Sequence, residues 1–203
     1  MFEKSVFDRE LRKLDPLAPQ GYNIGLHIRF TSPLMTFQTY DPDWLSYYTD
    51  HGYVLRDPVV AWGFATTGAT RWSNKFIPDP FGIFKKAAKF GLRYGVTISC
   101  GPISSRTIAS LARADREFTD AEMEQAEAIV RRLHEMTEPP QELTQAQIEA
   151  LKLIADGDRH AAAAAKLGIS ESALKARLNS ARQRLMARTT AEAIQRAKDY
   201  RLL

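Results

Sequence analysis

Two consecutive prolines, Pro139 and Pro140, lie within the polar segment Met136-Thr137-Glu138-Pro139-Pro140-Gln141-Glu142 and constrain this chain more than any other feature. Neither has a backbone N–H, and each biases the residue before it away from helical dihedrals, so a helix arriving from the N-terminal side must end before Pro139. The 203 residues are thereby divided in two, with residues 137–142 expected as a linker and each flanking stretch long enough for a core of its own. The two stretches differ in charge. Residues 143–203 carry 11 Lys and Arg against 6 Asp and Glu, whereas residues 1–142 carry 17 against 18. The whole positive excess lies in the last third, which makes nucleic acid the first partner to consider there; a solvated basic surface is the plainer alternative.

Several classes are excluded on composition and motif. A single cysteine, Cys100, cannot close an intramolecular disulfide. No apolar run approaches the roughly 18–20 residues of a membrane span, and the first residues, MFEKSVFDRELRKL, are charged throughout. The expectation is a soluble, cytoplasmic protein with no membrane partner. His27, His51, His134 and His160 are dispersed without metal-ligand spacing. Neither G-x-G-x-x-G, a P-loop nor a nucleophile elbow occurs, so no cofactor, metal or catalytic group is expected.

In the first stretch, Tyr22, Ile24, Leu26, Ile28 and Phe30 alternate with smaller or polar residues, the period of a strand with one buried face. A second strand is expected over Leu34–Thr39. Asp41-Pro42 and Asp57-Pro58 each pair an N-cap with a first-turn proline, and Trp44, Tyr47, Tyr48 and His51 follow the first of them at helical spacing. A further helix is expected over 79–90, with Phe81, Phe84 and Ala88 on one face and Gly91 as its stop. Val96–Cys100 and Thr107–Ala112 read as strands. Thr119-Asp120-Ala121-Glu122 is a capping box, and Met123, Ala126, Val130 and Leu133 give its helix an apolar stripe, the expected dimer contact.

Beyond the prolines the pattern is helical only. Thr144 caps a helix bearing Ile148, Leu151 and Ile154, closed by Gly157; an alanine-rich helix runs from His160 to Leu167; Ser170 caps a helix over 171–186. Thr189-Thr190-Ala191-Glu192 reads as a second capping box before a last helix over 191–199. Helix, glycine-containing turn and second helix is the layout of a helix-turn-helix. On the helix after Ser170, Leu174, Leu178, Ala181 and Leu185 form one stripe, and the opposite face presents Ser172, Ala176, Asn179 and Gln183. Lys175 and Arg182 flank that face on one side, Arg177, Arg184 and Arg188 on the other, a set suited to phosphate clamping with Lys175 and Asn179 placed for base edges.

Tyr40, Trp44, Tyr48, Asp57 and Trp72 cluster in the first stretch. Trp and Tyr supply apolar walls with polar handles, and an Asp among them accepts a hydrogen bond in a desolvated pocket, which suits a small ligand with an apolar tail and an amide or ester head. An aromatic core with Asp57 as a helix cap is the alternative on spacing alone.

Two resemblances bear on these alternatives. Leu143-Thr144, Gly157, Leu167-Gly168-Ile169-Ser170 and Leu174-Lys175 resemble the C-terminal DNA-binding domain of the LuxR family over about the last 60 residues. Departures are Gln147, where many members have Glu; Asp158, which often corresponds to a basic or neutral residue; and Arg159-His160-Ala161-Ala162-Ala163-Ala164, where they have Thr-x-x-Glu-Ile-Ala. Tyr40-(x3)-Trp44-(x3)-Tyr48-(x8)-Asp57-Pro58-(x13)-Trp72, followed by Phe90-Gly91-(x3)-Gly95, is similar to the acyl-homoserine-lactone-binding domain of LuxR-type quorum-sensing regulators. The resemblance implies that Trp44 donates to the lactone carbonyl, Asp57 accepts the ligand amide N–H, Tyr40 donates to the amide carbonyl, Tyr48 and Trp72 wall the ring, and Ser110 reaches a substituent on the acyl chain.

The expected fold is therefore α+β: an N-terminal α-β-α sandwich around an antiparallel sheet over residues 1–136, then an all-α four-helix helix-turn-helix domain over 143–203. The expected function is a homodimeric transcriptional regulator that binds an N-acyl-homoserine lactone and a two-fold-related DNA site. Two alternatives stay open: a regulator of the same architecture answering another amphiphile or none, and a heterodimerising anti-regulator with weak DNA binding.

Overall fold

The computed structural model describes residues 4–28, 32–138, 143–200 and 202–203. The chain forms two compact units, which meet in sequence between Glu138 and Pro139. The prolines and the rest of 139–142 lie outside the described residues, as does Phe30. Thr137, the first residue of the expected linker, instead belongs to the first unit and is fully buried.

The first unit is α+β. Helix α1 (Lys4–Leu11) precedes strands β1 (Tyr22–Ile28) and β2 (Met35–Gln38); helices α2 (Pro42–Asp50) and α3 (Pro58–Ala65) follow. Strand β3 (Gly68–Arg71), short helix α4 (Ile83–Ala87), strands β4 (Tyr94–Cys100) and β5 (Arg106–Arg113) and helix α5 (Asp120–Met136) complete it. The five strands make one antiparallel sheet of order β2-β1-β5-β4-β3. Helices α1 and α5 cover one face; α3 packs on β4 and β5 from the other.

Local signals explain most of these elements. Asp41 and Asp57 each accept a hydrogen bond from the backbone two residues on, and each stands before a first-turn proline. Thr119 and Glu122 form the reciprocal capping box at the start of α5. The α5 stripe, Ala126, Ile129, Val130 and Leu133, is buried within the unit against the sheet. It is consumed by the protein's own core, which removes the apolar face on which a dimer contact there was argued.

Three other expectations change. The helix expected over 79–90 is α4 followed by a 3-10 turn at Ala88–Phe90. Gly82 takes φ +65 and the Asp79 carboxylate caps the N–H groups of Ile83 and Phe84, which delays the helical start; Phe81 is consequently exposed, and Ile83 and Ala87 form the buried face. Two elements appear that were not expected: β3, a four-residue strand too short to show a period, and α1, whose Phe7, Leu11 and Leu14 recur at helical spacing. In β1 the alternation breaks. His27 adopts φ +51 at an irregularity in the β1–β5 register, so Ile28 joins Gly25 and Asn23 on the cavity side instead of Tyr22, Ile24 and Leu26.

The bulge is held through the imidazole. His27 Nε2 lies 2.9 Å from the His134 carbonyl oxygen and 3.1 Å from Thr137 Oγ1; Nδ1 lies 2.9 Å from Ser105 Oγ. A carbonyl accepts only, so the proton sits on Nε2 and Nδ1 accepts from Ser105. The His134 ring stacks on it with centroids 4.2 Å apart and meets Thr107 Oγ1 at 2.8 Å.

The second unit consists of α6 (Gln145–Ala155), α7 (His160–Lys166), α8 (Glu171–Arg184) and α9 (Thr190–Asp199). Leu151, Ala163, Ala164, Leu174, Leu178, Ala181 and Leu185 lie in its core. Thr144 and Gln147 complete a capping box, and Gln147 also donates to Ser180 Oγ, linking α6 to α8. At α9 only half of the expected box forms: Thr189 accepts from the Glu192 N–H, while the Glu192 carboxylate accepts from Arg188 N.

Burial lowers the pKa of His134 below the usual 6.5. The folded unit thus prefers neutral His134, and its stabilisation is complete above pH 6.5 and is lost as pH falls through the depressed value. Urea midpoints measured from pH 7.5 to 5 should decline, and the decline should be shallower in His134→Asn; parallel curves would contradict the assignment.

Candidate functional site

Between the sheet and helices α2, α3 and α4 lies a cavity of about 560 Å³, lined mainly by apolar side chains including Leu45, Val59, Phe64, Phe84 and Ile108. Its size falls in the range of small-molecule sites. The six residues singled out from the sequence, Tyr40, Trp44, Tyr48, Asp57, Trp72 and Ser110, all line it. They come from the end of β2, α2, the α3 cap, the end of β3 and β5, so the fold assembles them from positions up to 70 residues apart.

Most of their polar atoms pair with one another. The Asp57 carboxylate accepts from Tyr48 Oη at 2.7 Å on Oδ2 and from Val59 N at 2.9 Å on Oδ1. The Val60 N–H adds a third hydrogen bond to the carboxylate, so Asp57 is both cap and acceptor and keeps one spare lone pair for a further donor. Burial pushes its carboxyl above the usual carboxylate range, against the pull of the hydrogen bonds from Tyr48 and Val59. Burial and the nearby carboxylate together push the Tyr40 and Tyr48 phenols up, which keeps both hydroxyls protonated as donors. Tyr40 Oη donates to the Ser110 carbonyl oxygen at 2.7 Å.

Trp44 is only 4% exposed and packs against Tyr48, with centroids 5.6 Å apart, and against Phe90 at 5.5 Å. No hydrogen bond engages its indole N–H among the described residues. It is the ready donor of the site.

Trp72 is fixed from both sides. Its Nε1 donates to Thr97 Oγ1 at 3.0 Å, its ring stacks on Phe84 with centroids 5.4 Å apart, and it lies so close over β4 that a Cβ on Gly95 would fall 2.2 Å from the ring. Gly95 belongs to the sequence pattern but Thr97 does not; the register Tyr94↔Arg113 through Cys100↔Thr107, which places both under Trp72, becomes visible only in the folded sheet. Asn23 is a further cavity residue missed in the same way. It was hidden as one of the polar positions alternating with Tyr22 and Ile24.

In the second unit, Lys175, Asn179 and Arg184 are exposed on α8, with Arg177 and Arg182 half-buried. Leu174, Leu178, Ala181 and Leu185 are the buried stripe. Arg182 Nη2 donates to Asn179 Oδ1 at 2.8 Å, so these two side chains form a preset pair. Among the described residues no group of three His, Cys, Asp or Glu could hold a metal ion, and no helix is long and apolar enough to cross a membrane.

The family model described as the autoinducer binding domain matches residues 30–137. The transcriptional activator protein RaiR of Rhizobium etli is 29% identical over 181 residues, covering 80% of this chain and 74% of that protein. Among solved structures, Escherichia coli SdiA superposes with a TM-score of 0.55 at 20% identity, over 97% of this chain and 91% of that one. A structure of SdiA in complex with octanoyl-rac-glycerol gives the same TM-score and identity over 96% and 88%. The N-acylhomoserine lactone dependent LuxR-family factor CepR2 of Burkholderia cenocepacia gives 0.51 at 20% identity over 66% and 81%. These likenesses are to the α+β architecture described above.

Gly95→Ala should displace Trp72, break its bond to Thr97 and cost about 1–3 kcal/mol. Urea denaturation followed by tryptophan fluorescence measures both effects; unchanged emission and midpoint would show that the ring is not held by this contact.

Proposed function

The chain belongs to the autoinducer-binding family of LuxR-type regulators, and from that premise we propose that it is a cytoplasmic quorum-sensing transcription factor that binds an N-acyl-homoserine lactone in its first unit and DNA through α8. One observation carries the ligand reading. The cavity sets apolar walls beside a donor without a hydrogen-bond partner among the described residues, Trp44, and a buried acceptor with a spare lone pair, Asp57. An acylated lactone supplies the complement: a ring carbonyl to accept from Trp44, an amide N–H to donate to Asp57, and a hydrocarbon tail for the walls formed by Val59, Phe64 and Ile108. The Tyr40 hydroxyl serves the amide carbonyl after exchanging its present acceptor, the Ser110 carbonyl. Tyr48 and Trp72 enclose the ring.

Ligand fills otherwise open space in the core of the first unit and so favours the folded, binding-competent population by mass action. Two copies of α8 brought together in a homodimer would meet two half-sites on DNA, with Arg177, Arg182 and Arg184 on phosphates and Lys175 and Asn179, the latter once released from Arg182, on base edges. No cofactor, metal or chemical step enters this scheme.

A second reading, an amphiphile without a lactone ring, is favoured by the likeness to SdiA, whose structure was solved with octanoyl-rac-glycerol. Melting shifts across a panel of acyl-homoserine lactones and acylglycerols separate the two. Lactones should raise the melting temperature, and Trp44→Phe, which keeps the ring edge but removes the donor, should weaken lactone binding about tenfold. Stabilisation by acylglycerols alone, or equal affinity in Trp44→Phe, would overturn the lactone reading.

For DNA, Arg184→Ala should weaken binding to a duplex and reduce the slope of log K against log salt by about one. Anisotropy titrations at several salt concentrations measure this; duplex binding that is absent, or unaltered in the variant, would favour a regulator acting through protein contacts.

A further inference from the structure

The charge of the first unit is uneven. Residues 51–100 carry 7 Lys and Arg against 2 Asp and Glu, while the rest of residues 1–142 carry 10 against 16. Both acidic groups of the basic stretch are engaged inside the fold: Asp57 is buried in the cavity wall, and the Asp79 carboxylate accepts from the N–H groups of Ile83 and Phe84. Of its cations, Arg71 alone has a carboxylate partner among the described residues, Asp120 at 2.6 Å. Arg56, Lys75, Lys85, Lys89 and Arg93 are exposed. The stretch therefore presents positive charge that its own carboxylates do not balance.

Bulky apolar side chains stand out among these cations. Val54, Leu55, Phe76 and Phe81 are exposed, Leu55 at 89% and Phe76 at 80%. The Arg56 guanidinium lies 6.0 Å from the centre of the Tyr53 ring and 5.3 Å from that of Phe81, so the loop before α4 meets the turn at Tyr53–Leu55. Lys86 Nζ reaches the same Tyr53 ring at 5.0 Å, and Lys75 Nζ lies 5.3 Å from the ring centre of Phe76. The segment carrying Phe76 is fixed: Ile77 beside it is buried, Phe76 N donates to Asn74 Oδ1, and Asn74 Nδ2 donates to Thr70 Oγ1. Val54 and Leu55 also line the cavity, so its mouth opens in this face.

We infer that this face docks on an anionic lipid bilayer, with the cavity mouth turned toward the lipid. A protein partner seats apolar anchors in pockets and requires shape complementarity. Side chains that protrude from turns among cations require neither at a bilayer, whose fluid interface admits each one separately. Every cation held near an anionic leaflet raises partitioning about fivefold, while Leu55, Phe76 and Phe81 enter the headgroup boundary. Docking of this kind is peripheral and needs no spanning helix. It brings the mouth to the phase in which an amphiphile with a hydrocarbon tail concentrates, whichever head group the cavity selects, so it does not depend on the lactone reading.

Flotation of the full-length chain with vesicles provides the test, with equimolar phosphatidylglycerol and phosphatidylcholine compared against phosphatidylcholine alone. The chain should float with the anionic vesicles only, and less as salt rises. Lys85→Gln combined with Lys89→Gln should weaken apparent affinity about twentyfold, and Leu55→Ser about tenfold. Because α8 is also basic, Arg177→Gln combined with Arg184→Gln is measured alongside and should float like the parent. Absence of flotation, equal flotation with neutral vesicles, an affinity unmoved by the changes at Leu55, Lys85 and Lys89, or flotation lost with the α8 changes overturns the proposal. So does self-association of the chain that Leu55→Ser abolishes without any vesicle binding, a result that would give the face to a second copy.

Discussion

The carboxylate of Asp57 is where the first unit's architecture and its site meet. It caps α3 through Val59 and accepts a hydrogen bond from the Tyr48 hydroxyl on α2, so one buried carboxylate ties together the two helices that roof the cavity. Burial raises the cost of its charge, and the hydrogen bonds around it offset that cost. The same economy governs the other polar groups. Tyr40 is engaged with the Ser110 carbonyl and Trp72 with Thr97, so these site groups are internally paired, while the Trp44 indole N–H has no hydrogen-bond partner among the described residues. On the proposed function, ligand entry would be largely an exchange of hydrogen bonds, with net affinity from apolar burial and selectivity from which exchanges succeed.

Much of this was legible in the sequence wherever a signal is local. Asp-Pro starts, the Thr119 capping box, the Thr144 cap and the apolar stripe of α8 depend on residues within a turn or two, and each forms in the structure. The site residues were legible for another reason: their spacing resembles a known pattern, which periodicity alone left open between a pocket and an aromatic core. What was not legible depends on partners distant in sequence. The bulge at His27 is held by Ser105, His134 and Thr137. The apolar face of α5 could be seen, but not what it covers. The seating of Thr97 under Trp72 exists only in the register of β4 and β5.

In the second unit the departures at α7 have a definite structural meaning. Arg159 stands at its N-cap without a side-chain hydrogen bond, in contrast to Thr144 and Ser170 at the neighbouring helices. Ala163 and Ala164 are buried, so the contact of α7 with the core is made by methyl groups. An ion pair between Lys166 and Asp158 at 2.8 Å bridges the two ends of the helix, but it is half exposed on the lysine side and adds little. Helix α8, by contrast, is anchored by Leu174, Leu178 and the following Leu185, and by the Gln147–Ser180 bond from α6. The basic face of α8 is thus held by a scaffold that leans on α6 more than on α7.

The close seating of Trp72 on Gly95 also bears on how such a chain can change over generations. With no room for even a methyl group beneath the indole, any side chain at 95 clashes while the tryptophan remains. A smaller ring at 72 leaves a gap that a residue at 95 could then fill. The two positions are consequently ordered in time: drift at 72 can open a route for 95, whereas drift at 95 is closed until 72 has moved. Lineages that remodel this wall of the cavity would pass through a looser intermediate, and the pair would vary together or not at all.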